Sequence, residues 1–486
     1  MLFSSMIFIW IFLPLVLTVN FLIDILPFGS QKTKVKVKNC FLLISSLTFY
    51  AWGGVYYLLV MLSSIMINYT GGLLIGRNRN RGRTFLAMAV ILNLAVLFYF
   101  KYFNMILGIV ENIMAGTGIG GILSLRRTGS IPLKDVVLPI GISFFTFQSM
   151  SYIIDVYRNK AEVQPDIISF ALYVSLFPQL IAGPIVKYTD VEKQLADRKT
   201  TLENVHYGVK RFCYGLGKKV LIANTMAVIA DGIWSLELGR MGASVAWLGL
   251  VAYTLQIYYD FSGYSDMAIG IGRMLGFTFN ENFNYPYTAI TVMDFWRRWH
   301  ISLTSWFREY VYFPLGGSRD GEIRTYRNII IVFLLTGIWH GANFTFIVWG
   351  LYFAVIQIFE RAYYRKWKVS NPLLNWCLTI FLVMIGWALF RSNTLSEAML
   401  YISRLFCRGD GTYDMVTFLS GKSVVALIAG ILFCGFIQRL FLFFFRNAGK
   451  SGFFMLVEGI FQFVILALSI VSLVAGTYNP FIYFQF

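Results

Sequence analysis

Charge is the first thing this chain has little of. Asp, Glu, Lys and Arg make up 13% of its 486 residues, about half the share of an ordinary soluble domain. No polar stretch is long enough to build a water-soluble core. Cysteine is equally sparse. Cys40, Cys213, Cys377, Cys407 and Cys434 are scattered and odd in number, with no C-x-x-C spacing, so they read as packing residues and neither a disulfide framework nor a metal site is expected. There is no G-x-S-x-G elbow and no carboxylate-rich ligand set, and only three histidines occur. What fills the chain instead is apolar: 57% of residues belong to the hydrophobic set. Uncharged runs recur at the length of about 20 residues that a helix needs to cross a bilayer. The runs are continuous and not alternating, which excludes a barrel and leaves an all-α, polytopic integral membrane protein.

The first run is uncharged from Met1 to Ile23. It has no basic leader and no A-x-A site, so it reads as a retained helix. Further candidate spans lie near 39–53, 55–76, 84–107, 136–156, 167–186, 207–233, 243–259, 262–276, 328–340, 343–359, 375–391, 423–445 and 453–476. With some of these re-entrant or paired, about 11–13 crossings or re-entrant helices are expected. Gly53-Gly54 suits a tight hairpin and Gly183-Pro184 a helix break.

A net charge of +17 raises the question of nucleic acid, and its placement argues against it. Lys32, Lys34, Lys36 and Lys38 fall in one short loop and Arg77, Arg79, Arg81 and Arg83 in another. Short loops that collect Lys and Arg are the cytoplasmic ones. Two candidate spans separate these loops, so both can face the cytoplasm, which places the N-terminus outside. Topology after residue 187 is left open by the mixture of Lys187, Lys193, Arg198 and Lys199 with Asp190, Glu192, Asp197 and Glu203.

Ionisable groups within hydrocarbon are costly and are candidates for function. His206 follows a polar stretch and reads as interfacial. His340 lies in an uncharged run of 328–359 that would make about 48 Å of straight helix, more than one bilayer crossing. The run should break at Trp339-His340-Gly341-Ala342-Asn343, and broken backbone at that depth belongs beside protein or a water-filled cavity. A structural imidazole bonded to a nearby carbonyl is the equal alternative. His300 sits in a charged, aromatic segment, where helical spacing puts Trp296, His300, Leu303 and Phe307 on one face and pairs Asp294 with Arg298. The segment should lie at the interface or dip in as a re-entrant helix; an aromatic anchor would account for its tryptophans and arginines but not for a histidine on the apolar face. Asp260 and Asp266 fall between two apolar runs, where helix capping near Ser262 or Ser265 is the leading reading and a polar entrance the other. Two histidines without a nucleophile suit acid–base work: a neutral imidazole can take a proton from a hydroxyl, and an acyl thioester is already activated.

Two strings carry a resemblance. Asp294–Gly317 (DFWRRWHISLTSWFREYVYFPLGG) and Thr336–Asn343 (TGIWHGAN) resemble the two histidine motifs of the membrane-bound O-acyltransferase family. Leu176–Ile185, Gln256–Phe277 and Val137–Arg158 are similar to it as well, and the likeness runs over nearly the whole chain, as one domain of residues 1–486 with core motifs within 137–360. It is nearest to the bacterial polysaccharide branch, that of alginate O-acetylation, and more distant from teichoic-acid D-alanylation. The resemblance implies a ring of tilted helices around a tunnel. It also implies His340 as the catalytic base, His300 as the residue that orients donor or acceptor, and transfer of an acyl group, most simply acetyl, from acetyl-CoA or another acyl thioester in the cytosol. The acceptor would be a hydroxyl of a secreted or cell-wall polysaccharide beyond the bacterial inner membrane. Trp339, Asn343, Trp299, Asp294, Arg298, Gln179, Tyr258 and Asp260 are the further residues expected along the tunnel. No bound cofactor, metal or nucleic acid is implied, but a secreted esterase-like subunit with a Ser-His-Asp site is. Tyr483, in the aromatic tail Phe481–Phe486, has a phenol able to carry an acyl group; an interfacial anchor is the favoured reading there. A lipid- or protein-directed transferase, a peptidoglycan transferase and a transporter or flippase remain as alternatives.

Overall fold

A computed structural model describes residues 1–27, 30–116, 137–181, 183–366, 371–407, 411–438, 440, 452–476, 478–479 and 482. Among these every regular element is a helix. Helix α1 (Leu13–Ile25) follows a wider turn at Phe8–Phe12. Phe3, Phe8 and Phe12 are buried against Phe49 and Phe177, and Phe3 stacks on Tyr264, so the first run is built into the core. The four lysines at 32–38 lie on the opening turns of α2 (Gln31–Ala51) and not in a loop. Ser30 caps that helix, accepting from Thr33 N–H at 3.2 Å, and lysine is a good helix former. Gly54, at φ +145°, turns the chain into α3 (Val55–Arg77). This antiparallel hairpin returns Arg77–Arg83 to the same end as Lys32–Lys38. Helix α4 (Gly82–Gly116) starts from that basic end.

The centre is built from helices richer in polar groups. Along α5 (Ile142–Tyr157) Ser143, Thr146, Gln148, Ser149, Ser151 and Asp155 are all buried. Two short buried helices follow, α6 (Ile167–Ser175) and α7 (Phe177–Leu180), and α8 (Tyr188–Ala196) lays Tyr188, Val191 and Leu195 against the core. Next come α9 (Leu202–Gly217), α10 (Asn224–Trp234) and α11 (Ala243–Met274). The runs at 243–259 and 262–276 are therefore one helix. Asp260 and Asp266 sit in its interior and do not cap it, because each finds a cation on the neighbouring stretch. Asp260 pairs with Lys219 at 2.5 Å, and Asp266 with Lys218 at 2.6 Å and Arg211 at 2.7 Å. Helices α9 and α11 approach backbone to backbone: a Cβ on Gly215 would lie 2.6 Å from the Gly263 carbonyl oxygen, and one on Gly270 2.6 Å from that of Gly208.

The second half supplies α12 (Val292–Arg298), α13 (Ile301–Phe307), α14 (Glu322–His340), α15 (Phe344–Lys366), α16 (Pro372–Arg391), α17 (Leu395–Arg404), α18 (Gly421–Phe433) and α19 (Gly452–Ala475). Among the described residues, seven helical stretches are long and apolar enough to cross a bilayer: Phe8–Ile25, Val55–Arg77, Arg79–Leu107, Leu202–Trp234, Phe344–Tyr363, Pro372–Arg391 and Met455–Ala475. The chain is a multi-pass membrane protein. The central helices α5, α11 and α14 fall outside that set because they are short or carry polar and charged side chains toward the interior.

Candidate active site

The expected break at His340 is there. Helix α14 ends at His340, Gly341 is extended and α15 begins at Phe344. Asn343 caps α15, its Oδ1 accepting from Thr345 N–H at 3.2 Å while its Nδ2 donates to the Asn393 carbonyl. The freed carbonyls at the end of α14 are taken up from α4, where Lys101 Nζ donates to the Trp339 oxygen and Tyr102 Oη to that of Ile338. The imidazole of His340 is held edge-on among Trp339, Trp349 and Phe390, with centroids 4.9, 5.1 and 5.1 Å away. Its Nδ1 is buried with no hydrogen-bond partner. The residue does line a cavity, and its Nδ1 has no carbonyl partner.

His300 departs from the helical face proposed for it. The segment is not one helix; it breaks at His300, whose φ of +43° and ψ of 55° lie in the left-handed region. Such backbone costs about 1–3 kcal/mol for a non-glycine residue and persists only where its surroundings impose it. Here Asn282 does so. Its carbonyl accepts from Ile301 N–H at 2.9 Å, and its Oδ1 accepts from Ser302 N–H at 3.2 Å and Ser302 Oγ at 2.9 Å. A backbone N–H can only donate, so this atom of Asn282 is the oxygen. The His300 Nδ1 lying 3.2 Å from it must then carry the proton. The lone pair is left on Nε2, which is buried without a partner. Nor is the segment an interfacial anchor: Trp296, Trp299, His300, Leu303, Trp306 and Phe307 are all buried. Glu360 fastens its start, accepting from the N–H groups of Val292 and Met293 at 2.7 and 2.8 Å.

The two histidines line one small cavity of about 20 Å³ together with Phe261, Trp299, Trp349, Trp387, Phe390 and Ile482. His340 also lines a larger one of about 90 Å³, walled by Lys101, Leu138–Phe144, Ile181 and Trp339, and so forms the partition between the two. Of the other expected residues, Trp299 and Trp339 line the cavities, and Tyr258 packs behind Trp299 at 6.2 Å between centroids. Asp260 reaches the site indirectly, its Oδ2 accepting from Ile482 N–H at 2.7 Å. Gln179 is buried nearby, donating to the Tyr173 carbonyl at 2.6 Å. Asp294 and Arg298 form their expected ion pair, at 2.9 Å, but half-exposed and outside both cavities. Asn343 is likewise outside them and serves as a cap. His206 is exposed, as an interfacial residue should be. Tyr483 lies outside the described residues.

Lys101, Asn282, Trp349, Trp387 and Phe390 were not singled out by sequence. For Lys101 the signal existed, since it is an ionisable group inside the apolar run 84–107. For Asn282 there was none, because its role depends on a contact made in the folded chain.

A neutral imidazole with a fixed lone pair and a second at the junction of two cavities, among mostly apolar walls, form a place where a hydroxyl can be deprotonated away from bulk water. The family model for membrane-bound O-acyltransferases matches residues 46–403. The chain belongs to the membrane-bound O-acyltransferase family. It is similar to a protein of Pseudomonas putida named probable alginate O-acetylase, 38% identical over the full length of both. A protein of the same name from Pseudomonas aeruginosa is 41% identical over 90% of this chain and 81% of that one. A peptidoglycan O-acetyltransferase of Helicobacter pylori is 35% identical over 82% and 78%. The chain is thus an O-acyltransferase, and both cavities lie within or beside the matched segment, with His340 in the wall of each.

Proposed function

We propose that this O-acyltransferase moves an acetyl group from acetyl-CoA or another cytosolic thioester to a hydroxyl on the far side of the bacterial inner membrane, for O-acetylation of an alginate-like polysaccharide. The observation that carries the reading is the pair of histidines on one small, aromatic-lined cavity, with His340 opening onto a second. His340 is the general base and His300, through its fixed Nε2 lone pair, receives and orients the hydroxyl. Depth supports a transfer across the membrane. With Lys-rich and Arg-rich ends cytoplasmic and the N-terminus outside, Lys101 lies about 28 Å along α4 from Gly82, so the base is far from the cytoplasmic end and near the opposite face. A secreted esterase-like subunit completes delivery to sugar. The relative named for peptidoglycan makes the cell wall the second acceptor to examine.

The test is the acetyl-ester content of secreted and wall polysaccharide in cells whose only copy is wild type, His340→Ala or His300→Ala, at matched membrane levels. His340→Ala is expected to lose about 10²- to 10⁴-fold, the scale of general-base catalysis, and His300→Ala less. Unchanged acetylation in both variants would remove the mechanism and bring the transporter reading forward.

A further inference from the structure

A lysine within a transmembrane stretch is costly unless something compensates its charge. Lys101 sits nearly four-fifths of the way along the apolar span Arg79–Leu107, and among the described residues no carboxylate pairs with it. Its ammonium has three protons to give. One goes to the Trp339 carbonyl and a second has only a long contact, 3.5 Å, to Ser143 Oγ. Service to a helix end does not require a cation: one residue on, Tyr102 meets the Ile338 carbonyl with a neutral phenol. What the charge does face is the larger cavity, which Lys101 lines together with His340. The bond to Trp339, the neighbour of His340 in the chain, holds the ammonium beside the base. The same cavity is walled by Gly141, Ile142, Ser143 and Phe144, the opening turn of α5, whose N-terminal dipole adds positive potential. Gly141 makes that wall possible, with φ +76° and a Cβ position only 2.6 Å from the Leu180 carbonyl oxygen.

Resting on the acyl-transfer reading above, we propose that Lys101 is a further catalytic residue, whose ammonium holds the oxyanion formed when a thioester is attacked beside His340. The acceptor hydroxyl gives its proton to His340 while its oxygen bonds to the thioester carbonyl carbon. The carbonyl π pair moves onto oxygen, and that oxyanion accepts a hydrogen bond from Lys101. When the carbonyl re-forms, the carbon–sulfur bond breaks and the thiolate leaves with the proton from His340. Acyl ester and free thiol are the products, and Lys101 and His340 return to their starting states. Preorganised donors of this kind act where charge develops in the transition state, so their loss falls on turnover.

The experiment uses membrane vesicles holding the full chain together with its esterase-like partner, radiolabelled acetyl-CoA as donor, an alginate-like polysaccharide as acceptor, and Lys101→Met, Lys101→Arg and His340→Ala beside wild type. Turnover, KM for acetyl-CoA and the thermal unfolding midpoint of the solubilised protein are read for each. Lys101→Met is expected to lower kcat by about 10²- to 10³-fold with KM and folded yield near wild type, and Lys101→Arg to restore part of kcat. Lys101→Met within threefold of wild type overturns the proposal. So does a loss that only tracks a fall in unfolding midpoint and folded yield, which is the behaviour of a helix-end cap. A wild-type preparation that takes no acetyl from acetyl-CoA, or a His340→Ala variant as active as wild type, overturns instead the acyl-transfer reading on which the proposal stands.

Discussion

At the scale of single residues, the site depends on one amide. Asn282 is fully buried and its Oδ1 gathers Ser302 N–H, Ser302 Oγ and His300 Nδ1, while its Nδ2 donates to Ser265 Oγ at 3.1 Å. It therefore sets both the backbone of His300 and the nitrogen that keeps the lone pair. Asn282→Leu leaves a buried N–H unmet, at a cost of about 1–3 kcal/mol, and frees the imidazole to turn. Transfer should fall at least tenfold, together with a lower unfolding midpoint. Ser265→Ala removes only the far side of the amide and should keep most activity. Equal losses in the two variants, measured as acetyl transfer at matched protein level, would show that the oxygen of Asn282 has no special part. This also explains what could be read in advance. The break at His340 followed from the length of an uncharged run, a local property. The bend at His300 came from a residue eighteen positions earlier, so local periodicity ran a helix straight through it.

Elements meet here through small residues. Gly208 and Gly215 of α9 face Gly270 and Gly263 of α11, and the Cβ positions of Gly208 and Gly270 each fall within 2.6 Å of the opposing carbonyl oxygen. Close backbone approach of this kind replaces the hydrophobic drive that lipid cannot give between helices. It also sets the spacing at which Lys218, Lys219 and Arg211 reach Asp260 and Asp266. Gly215→Leu must push the helices apart, since its Cβ would also lie 2.8 Å from Met267 N. The expected result is a folded, monodisperse yield in detergent below about a tenth of wild type. Gly239→Leu, at a site with nothing within 4 Å, should be tolerated; if both express alike, the glycine contact is not what holds α9 to α11. The charges of this pair were visible in the sequence, and so was the polar interruption that Asp260 and Asp266 make between two apolar runs. Which cation each aspartate meets was not, because the partner lies on another helix, and a helix cap was the leading local reading of an acid beside serine, with a polar entrance the other.

Across the whole molecule, the two ends of the chain converge on the centre. Asn479 Nδ2 donates to Ser4 Oγ at 2.9 Å and its Oδ1 accepts from Asn224 Nδ2 at 3.1 Å. Three residues on, Ile482 is 1% exposed, forms part of the histidine cavity and gives its N–H to Asp260. Asp260 and Lys219 are each 2% exposed, so their charges are bound to each other, and removing one alone leaves the other uncompensated at about 3–5 kcal/mol. A single substitution would thus confuse unfolding with release of Ile482. Replacing both with apolar residues of similar size is often close to neutral, and Asp260→Leu with Lys219→Leu is the informative variant. It should stay folded, lose the hydrogen bond to Ile482 and open one wall of the cavity. Acetyl transfer should drop by tenfold or more at an unchanged unfolding midpoint. Maleimide labelling of Ile482→Cys, in a background with the exposed Cys40 and Cys377 changed to serine, should rise from near zero to measurable. If labelling stays near zero and transfer stays full, contacts such as those of Tyr478 with Asp231 and of Asn479 hold this end in place, and the buried ion pair belongs to the packing of α11 and not to the site.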